Sequence, residues 1–370
     1  MRDTIVATSP RRLIFRCLSW QIVLAGLFPE VAADARPVII STDPGIDDSI
    51  ALLLTLASPE LDLRAVCINF GSLHSVHHLA YNALGVLAMV GRDDIPVYLG
   101  ASNPIAAPFH DLGGPLFHGE DGLGGVAPAS LPPGRQPNRT LSAAEAIIDA
   151  CRNWNPKPVL VSLAPLTNIA LALALEPRLP SLCPELFLMG GAIVEPGNVS
   201  PVAEANLAND AEAAQRVFAA GFHIHVAPLD VTMATWLDSS YLESIRELKG
   251  RTGPFVWNIT RFYTQAYHQH AGFRDGMPLH DPSAVLMLLH PELYEFSKWP
   301  VAVDTSPFPS LTRGMVIADR RGGPLSPPPP PGTLLASFAV RADVAAAKEF
   351  LLTRLGELPR SGGSGSPDVA

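Results

Sequence analysis

From Pro37 onward the chain alternates between short apolar runs and longer segments with helical periodicity. Pro37–Ser41 is an apolar run of strand length, and Ile46–Leu56 repeats apolar residues at helical spacing. Leu63–Phe70 and Ile95–Leu99 read as further strands, with a helix over His74–Val90 between them. The alternation continues through strand Pro158–Leu163, helix Leu166–Leu175, strand Glu185–Met189, helix Asp210–Ala220 and strand His223–Ala227. Strands of a parallel sheet are apolar on both faces and need crossover helices between them. The pattern therefore predicts an α/β fold: an open, mostly parallel, Rossmann-like sheet flanked by helices, in a single large domain over 36–358. Such sheets carry their ligands beyond the carboxyl ends of the strands.

Three stretches break the alternation. Residues 102–140 are rich in Gly and Pro, the composition of a mobile or functional loop. Residues 322–332 contain Pro327–Pro331 in a row and read as a polyproline spacer, and 359–370 have the composition of a disordered tail. At the other end, Arg2, Arg11, Arg12 and Arg16 precede the apolar run Leu18–Phe28, which is followed by Ala33-Asp34-Ala35. A basic region, a short apolar run and a small-x-small site make residues 1–35 a signal peptide by pattern, too short to span a membrane comfortably. The expectation is a secreted or periplasmic protein, with no membrane attachment after processing; the alternative is a cytoplasmic one.

Composition narrows the function. The 370 residues are 48% hydrophobic, enough for a sizeable core. Against 26 basic residues stand 35 acidic ones, a net charge of -9, which argues against a nucleic-acid binder. Cys17 would leave with a signal peptide; Cys67, Cys151 and Cys183 are widely spaced, and buried free thiols are expected rather than a disulfide framework or a zinc knuckle.

The strongest local signal is Asp43-Pro44-Gly45-Ile46-Asp47-Asp48, which follows a strand and opens a helix. Pro and Gly make the turn, and acidic residues in a first helical turn suit the macrodipole. Capping needs one carboxylate, however, and three crowd this strand end. Like charges so close repel unless a cation lies between them, and a hard divalent cation with oxygen ligands meets that need.

This turn resembles the N-terminal signature of the inosine-uridine preferring nucleoside hydrolases, and four further motifs follow in that family's order. Ser162-Leu163-Ala164-Pro165-Leu166-Thr167-Asn168 is similar to a segment whose preceding carbonyl, here that of Leu163, completes a calcium site. Gly197-Asn198 and Ala203-Glu204-Ala205-Asn206 are similar to segments that hold ribose hydroxyls through Asn198, Glu204 and Asn206. His280-Asp281-Pro282 is similar to a family motif in which Asp281 would be the distal calcium ligand and His280 would lie near the base. Phe117-His118-Gly119 resembles a loop that closes over substrate, with His118 facing it.

The resemblance implies hydrolysis of the N-glycosidic bond of ribonucleosides. Ca2+ would be held by Asp43, Asp48, the Leu163 carbonyl and Asp281. Asp43 would be the catalytic base, and His280 a candidate acid for the departing base. Asp47, Ser72, Asn198, Glu204, Asn206, His118 and Tyr267 would contact substrate. It also implies a homodimer or homotetramer, with a small-molecule ribonucleoside as the only other partner and no nucleic acid.

Three positions depart from the family pattern. Ser41 stands where many members have Asp, Ser72 replaces a ribose-contacting Asn, and Ala205 replaces an aromatic residue, while Asn82 keeps its match. The departures leave open a non-catalytic, calcium-dependent nucleoside-binding protein on the same scaffold. A phosphate-transfer enzyme is a third reading, disfavoured by Ser41. His74, His77 and His78 have helical metal-ligand spacing but lack a matching carboxylate, so a solvated or capping cluster is expected. Tyr263 and Tyr267, four apart on a predicted helix, suit either core packing or a base pocket.

Overall fold

The computed structural model describes residues 31–126, 135–273, 275–321 and 334–358. Most of the expected signal peptide (1–30), part of the 102–140 loop (127–134), the Pro-rich segment 322–332 and the tail 359–370 lie outside the described residues.

The strands are β1 (Arg36–Thr42), β2 (Leu61–Ile68), β3 (Val97–Leu99), β4 (Val159–Ser162), β5 (Glu185–Met189), β6 (His223–Ala227), β7 (Trp236–Leu237), β8 (Met277–Pro278), β9 (Tyr294–Val303), β10 (Val316–Ala318) and β11 (Leu335–Ala342). Nine of them form one sheet in the order β10-β9-β11-β6-β5-β4-β1-β2-β3. β1 pairs in parallel with both β2 and β4, and only the β9 pairings with β10 and β11 are antiparallel. The expected mostly parallel sheet is therefore observed. Strand order reverses at β1, so a crevice opens beyond the carboxyl ends of β1 and β4, the place where such sheets bind ligands.

β1 shows why the sheet is buried on both faces. Val38 and Ile40 enter one apolar core and Ile39 the other. Each is at most 1% exposed, worth roughly 1.5–3 kcal/mol per side chain. The helix Ile46–Leu56 is buried all round and packs on the helix Asp281–Leu289. That contact brings two sequence-distant acidic helix starts to the end of β1.

The cysteine expectation is corrected for two of three residues. Cys151 and Cys183 are joined in a disulfide with Cα atoms 5.5 Å apart, and Cys67 alone is a buried free thiol. Spacing along the chain hid the pair, because packing of the helix Ala143–Asn153 against the short helix Leu179–Leu182 brings the two together.

Candidate active site

The cleft beyond β1 and β4 is lined by Asp43, Asp47, Asp48, Ser72, His118, Leu163, Asn198, Glu204, Asn206, His280 and Asp281, so nearly every site residue expected from sequence converges there. Its empty volume is about 570 Å³. Tyr267 is the exception. It lines an adjoining aromatic pocket with Phe117, His270 and Phe273, which shares His118, Asn198, Ala205 and Tyr263 with the acidic cleft.

The acidic turn is fixed by its own backbone. Asp48 accepts hydrogen bonds from Asp43 N at 3.1 Å and Gly45 N at 3.0 Å, and from the Thr42 hydroxyl. Asp48 is thus a helix cap as well as a member of the cluster, and the two readings of the turn are not exclusive. Asp43 turns the other way and accepts from Ser72 N, while the Ser72 hydroxyl donates to the Asp43 carbonyl. Asn82 ties the turn to the next loop, donating to Pro44 O at 3.1 Å and Asp121 O at 2.8 Å. Gly45 is required, because a side chain there would run into the His118 imidazole, whose Nδ1 accepts from Ile46 N at 3.1 Å.

Asp47, Asp48 and Asp281 each offer a carboxylate oxygen within 4.8 Å of the other two, a group able to hold a metal ion. Asp43 lines the same cleft but stands outside that tight trio. Burial, then the neighbouring Asp48, pushes the Asp43 carboxyl well above the usual carboxylate range. Burial, then Asp47 and Asp48, does the same to Asp281. Burial raises Asp47 to about 6, and burial followed by Asp47 raises Asp48. Among the described residues, no Lys or Arg lines the cleft.

The two histidines supply no balancing charge. Burial lowers His118 to about 4 and His280 to about 3. Both His280 ring nitrogens are occupied by hydroxyls: Nδ1 lies 2.8 Å from Thr232 Oγ1 and Nε2 lies 2.6 Å from the Tyr267 OH. Tyr267 meets Tyr263 ring to edge at 5.0 Å, and the Tyr263 OH donates to Asp47 Oδ2 at 3.3 Å. A chain of neutral, proton-carrying groups therefore runs from Thr232 to the acidic cluster.

On the far wall, Glu204 caps the helix Ala205–Asn209 and accepts from Asn206 N at 2.7 Å, Gly191 N at 2.9 Å and Leu207 N at 3.2 Å. Burial raises its carboxyl to about 7 against those hydrogen bonds. Asn206 Nδ2 donates to Leu163 O at 3.1 Å and Met189 O at 3.2 Å, which fixes its side-chain amide at the cleft wall. The Glu204–Asn206 stretch is a helix start, and capping brings the two side chains together.

The departures acquire physical reasons. Ser41 faces away from the cleft, with its hydroxyl accepting from Asn168 Nδ2 at 3.2 Å, so a carboxylate there is not needed by the cluster. Ser72 holds Asp43 at both ends. His77 and His78 are exposed and His74 stacks on Phe109, in keeping with the solvated cluster expected from sequence. Sequence reasoning missed Thr42, Met189, Asn209 and Thr232. Thr42, adjacent to the acidic turn, and Met189, which opens the strand-end segment Met189-Gly190-Gly191, carried a signal; Asn209 and Thr232 carried none.

The sequence model of the inosine-uridine preferring nucleoside hydrolases matches residues 38–349. The chain belongs to this family. It is 38% identical to the pyrimidine-specific ribonucleoside hydrolase RihA of Photobacterium profundum, over 77% of this chain and 89% of that one. Among solved structures, the purine-preferring ribonucleoside hydrolase from Gardnerella vaginalis superposes with a TM-score of 0.79 at 30% identity, covering 87% of this chain and 99% of that one. A plant nucleoside hydrolase superposes with a TM-score of 0.78 at 29% identity, over 87% and 99%. Membership makes the chain a hydrolase acting on N-glycosyl bonds, and the acidic cleft at the strand-order reversal is its candidate active site.

Proposed function

We propose that the chain hydrolyses ribonucleosides to free base and ribose in the acidic cleft, with Ca2+ held by Asp43, Asp48, Asp281 and the Leu163 carbonyl. One observation carries the metal reading: several buried carboxylates converge where no Lys or Arg among the described residues lines the cleft. The donor set is all oxygen, which suits a hard cation. Bound there, calcium supplies the positive field that keeps these carboxylates ionised and makes a nearby water more acidic.

The side chains divide the remaining work. Asp43, anchored by Ser72, accepts the proton of the water that attacks the anomeric carbon. Asp47, Asn198, Glu204 and Asn206 orient the ribose hydroxyls, since amide and carboxylate groups match a diol's donors and acceptors. Carboxylates around the ring also favour an oxocarbenium-like transition state. His280 stays neutral, so its role shifts from direct acid to relay: the hydroxyl of Tyr267, a residue that lines the aromatic pocket, bonds His280 Nε2 and delivers the proton to the departing base.

The aromatic pocket next to the cleft takes the base by stacking. The Cys151–Cys183 disulfide supports an exported protein with a cleaved leader, because such bonds persist in oxidising compartments. The working form on this reading is a homodimer or homotetramer of one catalytic domain over 36–358, which light scattering on the purified chain measures.

A reducing-sugar assay over a panel of purine and pyrimidine nucleosides, with and without chelator, tests the reading. Ribose release that vanishes on chelation and returns with calcium is expected. Nucleoside bound without ribose release would replace catalysis by binding on the same scaffold.

A further inference from the structure

The wall that carries Asn198 hangs from a carboxylate that plays no part in the scheme above. After β5 the chain leaves the sheet through Gly190 and Gly191 and reaches the aromatic pocket, which Glu195, Pro196 and Gly197 line. Ala192 and Ile193 still pack on the core, but Val194 is 73% exposed and Glu195 and Pro196 are exposed as well, so packing does not fix residues 194–196. Its backbone is fixed instead by Asp230. Oδ2 of Asp230 accepts from Ile193 N at 2.9 Å, and Oδ1 accepts from Val194 N at 2.7 Å and Glu195 N at 3.3 Å. Pro196 has no N–H, so every amide of 193–196 ends on one side chain. Beyond it, residues 197–203 form a turn closed on itself, with Gly197 N on Pro201 O and Val199 N on Ala203 O. Asn198 accepts from Ala205 N at 3.0 Å and lines the cleft.

Asp230 belongs to the single helical turn Leu229–Thr232, which also touches the opposite side of the site. Leu229 N donates to Gly191 O, and Leu229 lines the aromatic pocket. Thr232, fully buried, meets His280 Nδ1 at 2.8 Å. One short rigid turn thus grips the sugar-side loop through Asp230 and the base-side histidine through Thr232.

We propose that Asp230 is a positioning residue that sets substrate affinity, by holding Asn198 and the loop before it at a fixed distance from His280. This rests on the hydrolase reading above. A carboxylate that accepts three successive amides is a strong, charge-assisted clasp. Without it an exposed loop must be ordered by the substrate itself, which weakens binding more than it slows the chemical step.

Steady-state kinetics and hydrogen exchange on Asp230→Ala, Asp230→Asn and Thr232→Val test this. Asp230→Ala should raise KM about tenfold with kcat changed less than about threefold, the signature of lost binding through lost charge-assisted hydrogen bonds. Asp230→Asn, which keeps one acceptor, should fall between it and the parent. Thr232→Val should lower kcat with little change in KM. The amides of residues 193–195 should exchange faster in both Asp230 variants while those of β1 do not. Unchanged exchange at 193–195, or faster exchange with an unchanged KM, would overturn the proposal. If the parent protein releases no ribose from any nucleoside, the hydrolase reading fails; nucleoside affinity by calorimetry then replaces KM, and the same exchange measurement still judges the clasp.

Discussion

Glu176 and Asp47 are both nearly buried carboxylates, and the fold treats them in opposite ways. Glu176 follows the helix that runs back from the end of β4, and Arg178 and Arg152 hold it down to about 2. Asp47 sits at the strand-end crevice, where burial drives it up to about 6 and the neighbours are other carboxylates and two neutral histidines. Where the chain needs only a stable carboxylate it provides arginines. Where it gathers several without any, the missing charge has to come from a ligand. The difference separates a structural ion pair from a functional cluster, although both are carboxylates of low exposure.

Replacing one member on each side gives the sharpest break. Asp43→Ala should lower ribose release by about 10³-fold or more in a reducing-sugar assay, since it removes the proton acceptor and part of the charge around the reacting centre. A variant retaining activity would dissolve the contrast. Next comes metal removal. Chelation should abolish turnover, and calcium at about 100 times its Kd should stabilise the chelated protein by about 2.7 kcal/mol in a thermal melt. A Tm that ignores calcium would argue that the cluster balances itself.

Tyr267→Phe should lower kcat about 10²-fold while leaving the melt nearly unchanged, because it deletes the hydroxyl bonded to His280 Nε2 and preserves the ring. The pH dependence of the metal-free protein is subtler. Asp47 at about 6 and Glu204 at about 7 are raised in the folded state, as are Asp43, Asp48 and Asp281. Folding therefore takes up protons at these sites. Their stabilising contribution is complete below the unfolded carboxylate pKa and is lost as pH rises through the folded values. The depressed histidines, His118, His280 and His225, act in the other direction only below about pH 6.5, the unfolded histidine value. Between pH 6.5 and 8.5 the carboxylates decide, so the chelated protein should melt at a falling temperature as pH rises, and calcium should flatten the curve. The smallest effect belongs to the arginine-paired side: Glu176→Gln should leave kcat within about twofold, as expected of a group remote from the chemistry.

Much of this was legible in the chain. The alternation of apolar runs with helical segments set the element order, and three elements, Ile46–Leu56, Glu185–Met189 and His223–Ala227, have the boundaries expected from periodicity. The acidic turn, the Leu163 segment, Glu204, Asn206 and the His280–Asp281 pair were each visible as residue types that apolar packing does not call for. Their convergence was visible only through resemblance, since motifs more than two hundred residues apart, such as Asp48 and Asp281, carry no sign of their distance in space.

What the sequence determined by itself was local: which segments pack, which turns bend, and which strand ends carry charge, because these follow from periodicity and side-chain chemistry. Tertiary structure alone decided the rest. It joined Cys151 to Cys183, turned Ser41 away from the cleft, set Glu204 and Asn206 by a helix cap, and placed Thr232 and Tyr267 on the two nitrogens of His280. These are contacts between elements whose relative placement is fixed by sheet order and helix packing. A hydrogen bond of 2.6 Å between Tyr267 and His280 depends on where two helices and a two-stranded sheet come to rest, a sum over the whole core that no local pattern contains.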